Sequence, residues 1–317
     1  MARVFRRGQV LLTLVLAAAV ASAACGQFGN LKAKKFLKDA HGLYAQADYR
    51  NAAAAYEEAI KANPDAVEAY FYLGNCYDNL YKPARKGEAE NEEYLQKAVK
   101  NYEIASQRET VPARKKLALQ YLAASYGVDK LNDPSKAEPI VRQIIQMDPK
   151  DIDNYYGLAK LYEDAGRNEE AERVYLQAKD AKPGDPAVFL SLAGFYNRQG
   201  QFEKAVSAYE ERAKLDPNNP EAFWTLAAFF ETAARKDYTL SNAKKKDYIV
   251  RGLDAADKAL AIKKDFIEAI TYKGLLLRQQ ALVEKDRAKV DALIKEAEEL
   301  HKRAVELQKL KTKGVGA

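Results

Sequence analysis

Two cysteines and two histidines are all that 317 residues offer of those types. The cysteines, Cys25 and Cys76, form no CxxC pair, so neither a zinc site nor a redox dithiol is expected. His41 and His301 stand near opposite ends of the chain. The usual catalytic signatures are missing: there is no GxGxxG, no Walker-type loop, no HExxH and no GxSxG. Carboxylates are plentiful, yet no pair stands out. These absences argue against an enzyme, and no metal or cofactor is expected. An excess of one charge is lacking too. The formal net charge is +6; subtracting the N-terminal Arg3, Arg6 and Arg7 leaves +3, with the two signs well mixed. No basic stripe invites nucleic acid. Composition gives little sign of strands, being rich in Ala, Lys, Glu, Leu and Tyr, which suits helices.

What the chain does have is a period. From Ile152 to Pro183, the residues Tyr155, Leu158, Ala159, Tyr162, Gly166, Ala171, Tyr175, Ala178 and Pro183 mark a pattern. Moved on by 34 positions it returns as Phe189, Leu192, Ala193, Tyr196, Gly200, Ala205, Tyr209 and Pro217. One slot breaks, where Arg212 replaces the small residue. Moved back by 34 it returns more loosely, through Tyr121, Ala124, Ser125, Ala137, Val141, Ile144 and Pro149. Tyr155, Leu158, Ala159 and Tyr162 lie on one helical stripe, and Ala171, Tyr175 and Ala178 on another. Gly166 between them can take the left-handed conformation of a helix stop. Pro183 cannot continue the second helix. One such pair cannot bury its own apolar face, so pairs must stack.

These slots resemble the tetratricopeptide repeat, a helix–turn–helix unit. The resemblance covers nearly all of 33–310 and implies an all-α, right-handed α-solenoid of about seven repeats. The first repeat runs from Ala33 to Pro64, with Asp39 where Leu is expected. The second carries an insertion around Tyr81–Tyr94, expected to be a solvated loop with a longer second helix. A connector, Val111–Leu117, is expected before the third. The sixth holds a basic insertion at Ala234–Lys246 with Lys244-Lys245-Lys246, and the seventh ends in a long helix. Residues 311–317 read as a flexible tail. Cys76, beside the tight Gly74 position, reads as a buried inert thiol. His301 falls in an aromatic packing slot and reads as a partly buried structural residue.

Residues 1–24 read as an export signal: three arginines, an apolar core from Val10 to Val20 broken by Thr13, then Ala21 to Ala24. The core is short for a membrane span, which needs about 20 residues; an uncleaved anchor is the alternative. Ser22-Ala23-Ala24-Cys25 resembles a bacterial lipobox, with Ser22 where Leu is usual. That resemblance implies lipidation of Cys25 and a membrane-held N-terminus, followed by a tether over 25–32. Ordinary cleavage after Ala23 or Ala24 fits the same residues. Gly26, rather than Asp, implies the outer membrane in bacteria that sort in this way.

In the resembled family the first helices of successive repeats line a groove that holds a peptide or protein. Carried over, the groove slots are Asn75, Asp78 and Asn79; Tyr126, Asp129 and Lys130; Tyr156, Lys160, Glu163 and Asp164; Asn197 and Arg198; and Trp224 and Glu231. Some relatives grip a C-terminal carboxylate with Lys and Asn; Asn75 matches one slot, but Phe71 stands where the Lys belongs. The expectation is a non-enzymatic scaffold of the bacterial envelope with a protein or peptide partner. It competes with an envelope-polymer enzyme and with a purely structural oligomer.

Overall fold

The computed structural model describes residues 29–236 and 240–314, so Cys25 and the expected leader lie outside the described residues. The described residues form fourteen α-helices and no strand. None of those helices is long and apolar enough to cross a membrane. The chain divides into two compact units, 1–167 and 168–317.

Unit 1 holds α1 (29–45), α2 (Tyr49–Ala62), α3 (Val67–Leu80), α4 (Ala89–Arg108), α5 (Pro112–Ser125), α6 (Pro134–Met147) and α7 (Ile152–Asp164). Unit 2 holds α8 (Asn168–Ala181), α9 (Pro186–Arg198), α10 (Phe202–Leu215), α11 (Pro220–Lys236), α12 (Asn242–Ile262), α13 (Ile267–Val283) and α14 (Arg287–Thr312). Within each unit a helix packs on its neighbour in the chain, and in unit 2 α11 also packs on α13. The periodic slots are the core. Tyr155, Leu158, Ala159, Tyr162, Ala171, Tyr175 and Ala178 are all buried, as are their partners 34 residues on from Phe189 to Tyr209.

Local chemistry sets the helix ends. Asp133, Asp151 and Asp185 each accept a backbone N–H at the start of a helix. Gly166 and Gly200 stop α7 and α9 at φ +71° and +69°. There Arg167 N donates to Tyr162 O and Gln201 N to Tyr196 O, each at 2.8 Å. Gly74 lets α3 meet α4: a Cβ there would lie 2.8 Å from the Tyr102 ring. Cys76 is buried, and burial pushes its thiol up to about 12, which keeps it protonated and unreactive.

One contact recurs four times. A tyrosine at the inner end of a first helix donates its hydroxyl to a glutamate on the preceding second helix. The pairs are Tyr77–Glu57 (2.5 Å), Tyr126–Glu103 (3.1 Å), Tyr162–Glu138 (2.6 Å) and Tyr196–Glu172 (3.0 Å). Each ring also carries a cation from the following segment: Lys97, Lys136, Arg167 and Lys204 lie 4.4–5.5 Å from the ring centroids. The latch joins packing, a charge-assisted hydrogen bond and a cation–π contact in one place.

The structure corrects several expectations. Helix is present from residue 29, so 29–32 are not tether; Asn63 Nδ2 donates to Asn30 Oδ1 at 2.7 Å. Asp39 is exposed, and the buried Leu37 supplies the packing instead. Val111–Leu117 is no connector. Pro112 opens α5, because a helix start loses nothing when a proline lacks its N–H. The Glu109 carboxylate accepts from Thr110 N and Val111 N ahead of it. The second-repeat insertion is, as expected, an exposed loop with a longer second helix: it lengthens α4 at its N-terminal end, and the buried Asn91 clamps the loop by bonding Lys82 N and O. Of the sixth-repeat insertion, Ala234–Lys236 extends α11 and Asn242–Lys246 opens α12. His301 is exposed rather than partly buried. α14 reaches Thr312, two residues into the expected tail.

Candidate functional site

Each unit contains one open cleft beside the expected groove residues. In unit 1 it lies between α5, the loop before α6, and α7, with a volume of about 670 Å³. Tyr126, Asp129, Lys130, Lys160 and Asp164 line it, over an apolar floor that includes Val141 and Leu161. The structure therefore brings five of the expected residues together. Their charges are largely answered from within the unit. Lys130 Nζ bonds Asp78 on α3, and Lys160 bonds Asp164 one turn along α7. Tyr156 and Glu163 are half-buried on α7.

Three expected groove residues are turned inward. Asn75 is buried; its Oδ1 accepts from the Tyr44 hydroxyl at 3.4 Å and its carbonyl accepts from Asn79 Nδ2 at 2.8 Å. Tyr126 is buried as a latch tyrosine, and burial, then the Glu103 charge, pushes its hydroxyl up to about 12. Only an edge of it reaches the cleft. Glu231 is 1% exposed and accepts from Arg235 Nε and Gln279 Nε2, each at 2.8 Å. It joins α11 to α13 and offers nothing to a partner.

In unit 2 the cleft lies between the end of α9, α10 and α11, with a volume of about 660 Å³. Asn197 and Trp224 were expected there. Phe202, Tyr209 and Phe229 were not, and with Trp224 they make its aromatic wall. Phe202 and Phe229 stack with centroids 4.7 Å apart, and Tyr209 leans on Phe229 at 5.2 Å. Trp224, the one tryptophan of the chain, is half-buried. One side of its indole stacks on Tyr272 at 5.9 Å and meets Phe266 edge-on; the residue also lines the cleft. Arg198 is exposed beside Asn197. Among the described residues no group of three His, Cys, Asp or Glu could hold a metal.

Comparison with known proteins agrees with this architecture. Three family models, each described as tetratricopeptide repeat, match residues 37–107, 130–193 and 186–229. The chain belongs to the tetratricopeptide-repeat family, a class of stacked helical scaffolds that bind other proteins. Among solved structures it is similar to the C-terminal part of a TPR repeat-containing protein from Cytophaga hutchinsonii. That pair is 16% identical, covers 86% of this chain and 98% of that one, and has a TM-score of 0.55. A tetratricopeptide repeat protein from Parabacteroides merdae is 14% identical over 84% of this chain and 99% of that one, with a TM-score of 0.45. YrrB, described as a TPR protein with an unusual peptide-binding site, is 18% identical over 60% and 89%, with a TM-score of 0.41. No curated protein matches the chain.

Proposed function

We propose that this chain is a non-enzymatic adaptor of the bacterial cell envelope that holds a protein or peptide partner against the inner helices of its repeats. The observation that carries the reading is the unit 2 cleft, where Trp224 lines an aromatic-walled space of about 660 Å³. That volume falls within the range of ligand pockets, roughly 300–1,000 Å³. Tryptophan is enriched where partners bind most tightly. The placement rests on residues 1–25: a basic start, a short apolar core, and Cys25 as a lipid-bearing first residue that would hold the protein at a membrane. Assisting the assembly of an envelope complex fits such an adaptor.

The test uses the full chain expressed with its leader. Partners are captured from envelope fractions by wild type and by Trp224→Ala, with helicity followed by circular dichroism. Loss of the partner at unchanged helicity supports the reading; a partner kept by Trp224→Ala and by Asn197→Ala moves the site elsewhere. Mass spectrometry of the N-terminal peptide reads the anchor separately. Acyl groups on Cys25 support it, and a cytosolic protein with its leader intact sinks the placement.

A further inference from the structure

The fifth repeat breaks its own pattern at Arg212, and the structure gives that break a setting. Arg212 is only 9% exposed. Its Nη1 donates to Thr225 Oγ1 at 3.2 Å, and it pairs with no carboxylate among the described residues. A guanidinium has five N–H donors and cannot shed its charge. No guanidinium nitrogen of Arg212 is both sealed from solvent and without a partner, so its remaining N–H donors are open to an incoming acceptor. Its charge is therefore available to an anion from outside the fold.

Thr225, the partner of Arg212, lines the aromatic cleft of unit 2. So does Tyr209, whose hydroxyl is pushed up by burial while the charges of Arg212 and Arg198 pull the other way. Arg212 thus reaches the cleft wall through its bond to Thr225, although neither arginine is itself part of the lining. The charged residue in the lining is a third cation, Lys236. The nearby acid on α11, Glu231, is buried and held by Arg235 and Gln279. Cations thus border this aromatic cavity, and the other acid of α11, Glu221, is exposed one turn before Thr225.

We propose that this cleft binds a peptide segment carrying an acidic side chain next to an aromatic one. Arg212 takes the carboxylate, and the ring packs against Trp224 and Phe229. The idea rests on the reading of this chain as a peptide-binding adaptor and names the chemistry of the bound segment.

The experiment incubates the purified full chain with an array of C-terminally amidated peptides. Hits are titrated against the fluorescence of Trp224, which has no competing tryptophan. The expected hits place Asp or Glu beside Phe, Tyr or Trp. Changing that acid to its amide should weaken binding about tenfold or more, since one charge-assisted pair is lost. Arg212→Met should erase the difference between acid and amide while still binding the amide peptide, and Arg212→Lys should keep part of it. Equal binding of acid and amide peptides by wild type, or discrimination retained in Arg212→Met, overturns the proposal and leaves the adaptor reading standing. Tighter binding of peptides whose sole carboxylate is a free C-terminus overturns the choice of an acidic side chain. No hit and no change in Trp224 fluorescence overturns both.

Discussion

Unit 1 and unit 2 build on the same helical template and finish it differently. In unit 1 the inner tyrosines Tyr77, Tyr126 and Tyr162 are all latched to a glutamate and capped by a cation. In unit 2 Tyr196 repeats the arrangement, and Tyr248 makes a comparable one from the second helix α12, donating to Glu203 at 3.3 Å with Lys244 5.0 Å from its ring. The next slot holds Phe230, which keeps a cation, Arg251 at 4.6 Å, but has no hydroxyl to donate. Glu210 then bonds Arg251 directly, at 2.9 Å. The last slot holds Leu277, which keeps neither feature and is still buried. The difference teaches which part of the latch the stack requires. A large apolar side chain is enough to fill the slot, and the polar bond is an addition. Buried polar atoms without a partner occur in both units, the Tyr81 and Tyr102 hydroxyls and Asn154 Nδ2 in unit 1 and Gln201 Oε1 in unit 2; what sets unit 2 apart is Arg212, which among the described residues bonds Thr225 and no carboxylate beside an open aromatic cleft.

The largest test removes a latch outright. Tyr162 is fully buried, donates to Glu138, accepts from Arg142 Nη2 at 2.6 Å, and lies under Arg167. Tyr162→Ala should cost about 4 kcal/mol, as buried aromatic truncations do. Urea unfolding gives the total, and hydrogen exchange should show faster opening of α6 and α7. A loss below about 1 kcal/mol would mean that the latch closes over space the stack does not need. The next test keeps the ring and deletes the hydroxyl. Tyr162→Phe should cost about 1–2 kcal/mol and Tyr196→Phe about 1 kcal/mol, because the first loses two hydrogen bonds and the second one. Equal costs would erase the contrast between the units at this slot.

Much of this was legible in advance, for a physical reason. Packing slots repeat because each pair of helices must fit the next, so Tyr77, Tyr162 and Tyr196 stand out by spacing alone. Tyr126 lines the unit 1 cleft and also fills a latch slot that its spacing hid, because the loop between α5 and α6 spans residues 126–133, whereas α7 and α8 are joined by 165–167. The count slips by two, and only its contacts with Glu103 and Lys136 reveal the slot. Asn75 and Glu231 sit on first helices as groove residues should, but their orientation depends on Tyr44 and Gln279, distant in sequence. Tyr209 read as an ordinary packing slot, and Phe202 and Phe229 fell in no slot of the pattern. The signal that could have found their cleft was Arg212, a charge where the pattern demands a small residue.

Titration sharpens the same contrast with a smaller perturbation. The Lys204 hydrogen bond, aided by Tyr196, holds the Glu172 carboxyl below the usual carboxylate range against burial. Burial raises Glu138, but hydrogen bonds from Tyr162, Arg167 and Arg142 outweigh it and the net direction is also downward. A carboxyl lowered in the folded state contributes stability above its unfolded value, near pH 4.3, and loses it as pH falls through the folded value. The tyrosines work in the opposite sense. Tyr126 and Tyr196 are pushed up to about 12 and Tyr162 is raised, in each case first by burial. Their contribution is complete below pH 10 and is lost as pH rises toward 12. Thermal midpoints should therefore fall at both extremes. Glu138→Gln should flatten the acid limb and Tyr196→Phe the alkaline limb. Limbs unchanged in those variants would place the sensitive groups elsewhere.

The smallest effect separates two lysines that border one cleft. Lys130 is 22% exposed, and its partner Asp78 on another helix is 14% exposed. Lys160 is 67% exposed and pairs with Asp164 along its own helix. An exposed pair one helical turn apart contributes about 0.3–0.5 kcal/mol and is screened by salt. Lys160→Ala should therefore leave the unfolding midpoint almost unmoved, while Lys130→Ala should cost about 1 kcal/mol by stranding a shielded carboxylate. Double-mutant cycles with Asp164→Ala and Asp78→Ala measure the two couplings directly. If Lys160 proves as strongly coupled as Lys130, the unit 1 cleft is held rigid on both walls. If it is free, as its exposure implies, Lys160 is the side chain in that cleft able to exchange its own acid for one on a partner. A change in partner affinity at constant stability would then assign it to binding.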